Sequence, residues 1–122
     1  GNYNYLQTFD SLKVVRGMEL SYVDGMKMEI LEGNRVLLKD LIEMADAQDS
    51  ELLFLIPPAR FGKWKGHEEV ISMLQDLKGE YENVAYVDYS EAFLENCYYY
   101  DHHHLNTDGV VGLAYACREW ME

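Results

Sequence analysis

The stretch Glu51-Leu52-Leu53-Phe54-Leu55-Ile56-Pro57-Pro58 constrains this chain more than any other. Its five consecutive apolar residues are too few for a helix and show no polar alternation. A run of this kind, halted where proline withholds a backbone donor, predicts a strand buried on both faces. Burial on both faces implies a parallel sheet with helices on either side. The neighbouring sequence offers those helices. From about Glu29 to Gln48, Ile30, Val36, Leu37, Leu41, Met44 and Ala45 recur at helical spacing between charged residues. From about His67 to Tyr81, Val70, Met73, Leu74 and Leu77 do the same. Val84 to Asp88 reads as another strand, and Ser90 to Leu94 as a short helix. A last helix is expected from about Thr107 to Met121, with Val110, Leu113, Ala114, Cys117 and Met121 inward. Asn106 or Thr107 is its natural N-cap, and Asp108 sits where the helix dipole favours negative charge. Near the N-terminus, Leu12-Lys13-Val14-Val15 is a short β-prone run, followed by a loop around Gly25.

Strands alternating with helices define an α/β protein, here a three-layer sandwich with a short, mainly parallel sheet. At 122 residues the chain forms one domain, residues 1–122. Its formal charge of −12 repels phosphates and anionic lipid, which excludes nucleic acid as a partner; a cationic or neutral small molecule, or a protein, fits better. No stretch approaches the length of a membrane span. Gly1-Asn2-Tyr3-Asn4-Tyr5 lacks the basic and apolar regions of a signal peptide, and the compartment stays open. Cys97 and Cys117 read as two buried free thiols rather than a disulfide, and the six methionines as core filler.

In open parallel sheets, ligands bind beyond the carboxyl ends of the strands. Two segments fall there. Pro57 to Gly66 carries Arg60, Phe61, Lys63, Trp64 and Lys65, a basic and aromatic cluster in an acidic chain. It reads either as a substrate-facing lip or as an exposed loop whose aromatics cover a helix. Asp88 to His104 ends in Tyr98-Tyr99-Tyr100-Asp101-His102-His103-His104, directly before the last helix. Adjacent histidines on an extended loop point to different sides, and no spaced second ligand set accompanies them beyond the distant His67. No metal site and no cofactor are therefore expected.

The strand Leu52 to Ile56 with Pro57-Pro58, and the block Asp101-His102-His103-His104-Leu105-Asn106-Thr107-Asp108-Gly109, resemble the C-terminal half of the SGNH (GDSL-like) hydrolase family. The match covers roughly Ile30 to Trp120, with Val84 to Asp88 in the family's order. The resemblance implies a flavodoxin-like sheet and an ester or acetyl-ester hydrolase. It implies His104 as general base and Asp101 as the carboxylate that orients its ring. A serine hydroxyl needs such a base, and the imidazole needs a carboxylate to hold the right tautomer. Arg60, Trp64 and Asn106 are the candidate substrate contacts. The family's nucleophile lies in a Gly-Asp-Ser block near the N-terminus. Here Phe9-Asp10-Ser11-Leu12 is the similar segment, without the glycine, and makes Ser11 the candidate nucleophile. The Gly-x-Asn-Asp block that helps build the family's oxyanion hole is not found.

The expectation is therefore a family member lacking its first strands. A sheet cut down in this way has an open hydrophobic edge, which is an association site. A homodimer, or a separate chain supplying the missing strands, follows, with Leu12 to Val15 as a candidate occupant of one edge. The alternative function is a non-catalytic binding or assembly module that keeps the hydrolase fold.

Overall fold

The computed structural model describes residues 28–101 and 104–121. The elements in chain order are α1 (Met28–Asp46), β1 (Leu52–Ile56), α2 (His67–Glu80), β2 (Val84–Asp88), a single 3-10 turn (Asn96–Tyr98) and α3 (Thr107–Met121). The described residues form a small α/β domain with three helices and a two-stranded parallel sheet. The β-prone run Leu12 to Val15, the loop after it and Ser11 lie outside the described residues.

β1 and β2 pair in parallel from Leu52 opposite Val84 to Ile56 opposite Asp88. Alternation along each strand then sorts the side chains. Leu52, Phe54 and Val84 turn toward a core made with Leu31, Leu38 and Ile42 of α1 and Val70, Met73 and Leu77 of α2. Both helices thus cover the same face of the sheet. Polar links brace their outer contact: Arg35 pairs with Asp76 at 3.4 Å and Lys39 with Glu80 at 3.2 Å, while Tyr81 donates to Glu43 at 3.0 Å. Asn83 closes the amino end of β2 by donating to the carbonyls of Ile42 and Ser50, each at 3.2 Å.

Several sequence expectations are corrected here. β1 is not buried on both faces, since Leu53 and Leu55 are each 38% exposed. The run of apolar residues arises because the strand has two apolar faces, only one of which is packed under α1 and α2. On α1 the inward positions are Leu31, Leu38 and Ile42; Val36, Leu37, Leu41 and Met44 are exposed, Leu37 at 66%. On α3, Gly109, Gly112, Leu113, Ala116 and Cys117 turn inward, and Val110 and Ala114 are exposed. Two glycines let α3 approach its neighbours closely: a Cβ on Gly109 would fall on the Tyr98 carbonyl oxygen, and one on Gly112 would come within 3.0 Å of the Phe93 ring. Ser90 to Leu94 forms a turn and bends instead of a helix. Both cysteines are free, but Cys97 is exposed, its Sγ directed at the Glu95 carboxylate at 3.7 Å. Among the described residues, no helix is long and apolar enough to cross a membrane.

Candidate functional site

The segment between the 3-10 turn and α3 folds back on itself as a narrow loop. The Asn106 amide donates to the Tyr98 carbonyl at 2.9 Å, Tyr99 and Leu105 form an antiparallel bridge, and the Tyr100 amide donates to the His104 carbonyl at 3.2 Å. This zipper brings Asp101 and His104 together at its tip; His102 and His103, between them, lie outside the described residues. The Asp101 carboxylate accepts twice from the same residue. Oδ1 takes the His104 amide at 2.7 Å, and Oδ2 takes the ring Nδ1–H at 2.7 Å. A carboxylate is acceptor-only, so the bond assigns a proton to Nδ1, and in the neutral ring the lone pair is then on Nε2. That is the tautomer a general base requires. Tyr100 stacks on the imidazole at 5.2 Å between centroids and 13° between planes, which fixes the ring's tilt. Asp101 is buried, whereas the His104 side chain is 27% exposed. The carboxylate is thus enclosed and the imidazole reachable.

Helix α3 anchors this loop. Asn106 is its N-cap: its side-chain oxygen accepts the Gly109 amide at 3.0 Å, and its carbonyl accepts the Val110 amide at 3.0 Å. The same side chain donates to the Cys97 carbonyl at 2.7 Å. The start of α3 packs against Phe93 and Tyr98, beyond the carboxyl end of β2. Its other end brings Trp120 to the amino ends of the strands. There, Trp120, Leu52, Leu53, Val84, Ala85, Glu51, Glu82 and Asn83 line an open cleft of about 370 Å³. The helix therefore spans the sheet from rim to rim, with Asp101 and His104 at the carboxyl rim.

The other sequence candidates make contacts within the fold. Arg60 donates from Nη1 to the Leu94 carbonyl at 2.6 Å and from Nε to the Asn96 side-chain oxygen, with its guanidinium over the Phe61 ring at 5.1 Å. It holds the loop after β1 to the loop after β2. Trp64 sets its ring edge-on against His67 at 4.9 Å. Lys63 pairs with Glu91 at 3.6 Å. Beneath the loops, Tyr99 is buried and donates its hydroxyl to the Phe93 carbonyl. Burial pushes its pKa up to about 12 against the lowering effect of the Arg60 charge.

A second histidine site was missed in the sequence. His67 opens α2 and is 3% exposed. Its Nε2 lies 2.8 Å from Oδ2 of Asp88, at the end of β2, and 3.2 Å from the hydroxyl of Ser90. The Ser90 amide also donates to Asp88 Oδ1 at 2.9 Å. Burial would raise the Asp88 pKa, but hydrogen bonds from the Ser90 side chain and amide, and then the attraction and hydrogen bond of His67, outweigh it and leave the carboxyl below its ordinary value. The three residue types are those of a catalytic triad, but the connectivity is not. Serine and aspartate share one ring nitrogen, which must carry the proton given to the carboxylate. That nitrogen cannot also take a proton from Ser90, and the hydroxyl is itself buried. This cluster ties α2 to the carboxyl end of β2. The only local signal for it was Asp88-Tyr89-Ser90, whose spacing suits an aspartate accepting its own chain's amide two residues on.

Among the described residues, no group of three or more metal-binding side chains converges. No family model, no curated protein and no solved structure matches this chain.

Proposed function

We propose that this chain is an acyl-ester hydrolase of the SGNH type, built on a three-layer α/β sandwich, with His104 as general base and Asp101 as the residue that orients it. One observation carries the reading: the double acceptance by Asp101, at 2.7 Å each, of the His104 amide and ring Nδ1–H. It fixes both the tautomer and the direction of the ring at the carboxyl rim of a parallel sheet, where such folds bind ligands. A small ester, acetyl esters included, is the proposed substrate. In this reading the base takes the proton of a serine hydroxyl as it attacks the ester carbonyl, then returns it to the departing alcohol. Ser11 is the serine nominated by family resemblance.

A second reading, a non-catalytic binding or assembly module on the same fold, is favoured by the way Arg60 and Asn106 spend their polar groups inside the chain. Turnover of p-nitrophenyl acetate separates the two. The hydrolase reading expects His104→Ala to lower kcat by about 10³-fold, and Asp101→Asn by about 10²-fold or more, with the far-ultraviolet circular dichroism unchanged. Wild-type turnover no faster than an equal concentration of free imidazole would overturn it and leave the module.

A further inference from the structure

The cleft at the amino rim of the sheet takes no part in the site at His104, and its walls have a definite chemistry. Leu53 and Ala85, partners in register, line it on the sheet face away from α1 and α2. Trp120, in the last turn of α3, forms another wall and is 44% exposed. Its indole N–H donates to the Tyr89 hydroxyl at 3.1 Å, and that hydroxyl donates to the Ala116 carbonyl at 2.9 Å. The relay fixes the ring and uses its one polar group, so the indole offers a ligand only aromatic surface. The Asn83 side-chain N–H groups are used in the same way, on the carbonyls of Ile42 and Ser50. The residues lining the cleft therefore have no side-chain donor to spare.

Acceptors, by contrast, are in excess. Glu51, just ahead of β1, and Glu82, just ahead of β2, both line the cleft and both are exposed. Among the described residues neither has an ion-pair partner, and no residue lining the cleft is basic. The end of α3 adds the negative pole of a helix dipole. A carboxylate or phosphate ligand would meet two like charges and no donor. A metal ion would find two carboxylates and, among the described residues, no third ligand. An ammonium ion wrapped in alkyl groups needs no hydrogen bond, rests on apolar surface and is attracted to the face of an indole. The volume of about 370 Å³ suits a small molecule.

We propose that this cleft binds a small quaternary ammonium ion, its charge held by the Trp120 indole and the Glu51 and Glu82 carboxylates and its alkyl groups against Leu53 and Ala85. The ligand is the free ion rather than a lipid headgroup, whose phosphate would be brought to the same two carboxylates. The cleft lies at the rim opposite His104, so its occupancy does not depend on the hydrolase reading, and its ligand is not the proposed ester substrate.

Nuclear magnetic resonance of the intact 122-residue chain, titrated with choline at constant ionic strength, tests the site without reference to activity. The Trp120 indole N–H and the Leu53 and Ala85 amides should shift saturably. The neutral carbon isostere of choline should bind at least about tenfold more weakly, as the charge is what the site reads. Glu51→Gln with Glu82→Gln should weaken choline binding about tenfold, and Trp120→Leu about fivefold. Both glutamates are exposed, so the paired change keeps the test valid should Trp120→Leu fail to fold. No saturable shift, equal binding of the neutral isostere, unchanged affinity in the double glutamine variant, or the same shifts from potassium would each overturn the site. Co-sedimentation with phosphatidylcholine vesicles that free choline displaces would overturn the free ion and make the headgroup the ligand. If choline binds as expected and no esterase activity is found, the hydrolase reading fails alone.

Discussion

His67 meets Asp88 across 21 positions of sequence, whereas His104 meets Asp101 across three. The first pair is enclosed between a helix start and a strand end, and it shares one ring nitrogen with Ser90. The second stands at the tip of a zipped loop, its carboxylate buried and its imidazole reachable. Both contain the residues of acid–base chemistry, yet only the second directs its carboxylate to Nδ1 and leaves Nε2 as the basic nitrogen. Residue type therefore does not tell the two pairs apart; the nitrogen used and the side exposed do.

The comparison breaks most visibly in stability. His67→Ala leaves a cavity and removes a partner from the buried Ser90 hydroxyl and the partly buried Asp88 carboxylate, and is expected to cost about 3 kcal/mol in urea unfolding. His104→Ala, at a partly exposed ring, is expected to cost about 1 kcal/mol. Equal losses in the two variants would show that both pairs are structural, and would remove the reason to regard the loop as the functional one.

The same contrast explains what could be read from the sequence. The limits of β2 and α3 match their expected spans, and α2 ends one residue short of the expected Tyr81, because periodicity and caps are local properties. The Asp101–His104 contact was expected from the family resemblance, and it forms within three residues of chain ahead of an Asn cap, so it needs nothing distant. The His67 cluster forms only when a helix start and the end of β2 are brought together, and no local pattern encodes that. The inward face of α1 was misread because Leu31, Leu38 and Ile42 recur at helical spacing just as Leu37, Leu41 and Met44 do. Period establishes a helix, but the packing partner decides which of two apolar stripes is buried. The both-face burial expected of β1 failed on the same point.

A middle-sized effect sharpens the account of how the loop is held. Gly109 lies where the first turn of α3 touches the Tyr98 carbonyl, and that carbonyl also accepts the Asn106 amide at the base of the zipper. In Gly109→Ala the new methyl must push the helix off the loop, at a cost of about 2 kcal/mol. Gly79→Ala is the control, since nothing lies within 4 Å of a Cβ there and α2 should gain a few tenths of a kcal/mol. Thermal midpoints of the two variants should move in opposite directions. If Gly109→Ala is neutral, the close approach of helix and loop is not what fixes His104.

The smallest effect concerns acid. The Asp88 carboxyl titrates below its ordinary value in the folded chain, so folding favours its ionised form. Its contribution is complete above the unfolded aspartate range, about pH 4, and is lost as pH falls through the lower folded value. Asp88→Asn, which cannot titrate, lacks this dependence. Between pH 5 and pH 2.5 the urea midpoint of the wild type should therefore fall more steeply than that of Asp88→Asn, even though the variant starts lower. Parallel slopes would mean that the carboxylate is not held by Ser90 and His67. The buried cluster would then no longer account for how α2 is fastened to the rim of the sheet.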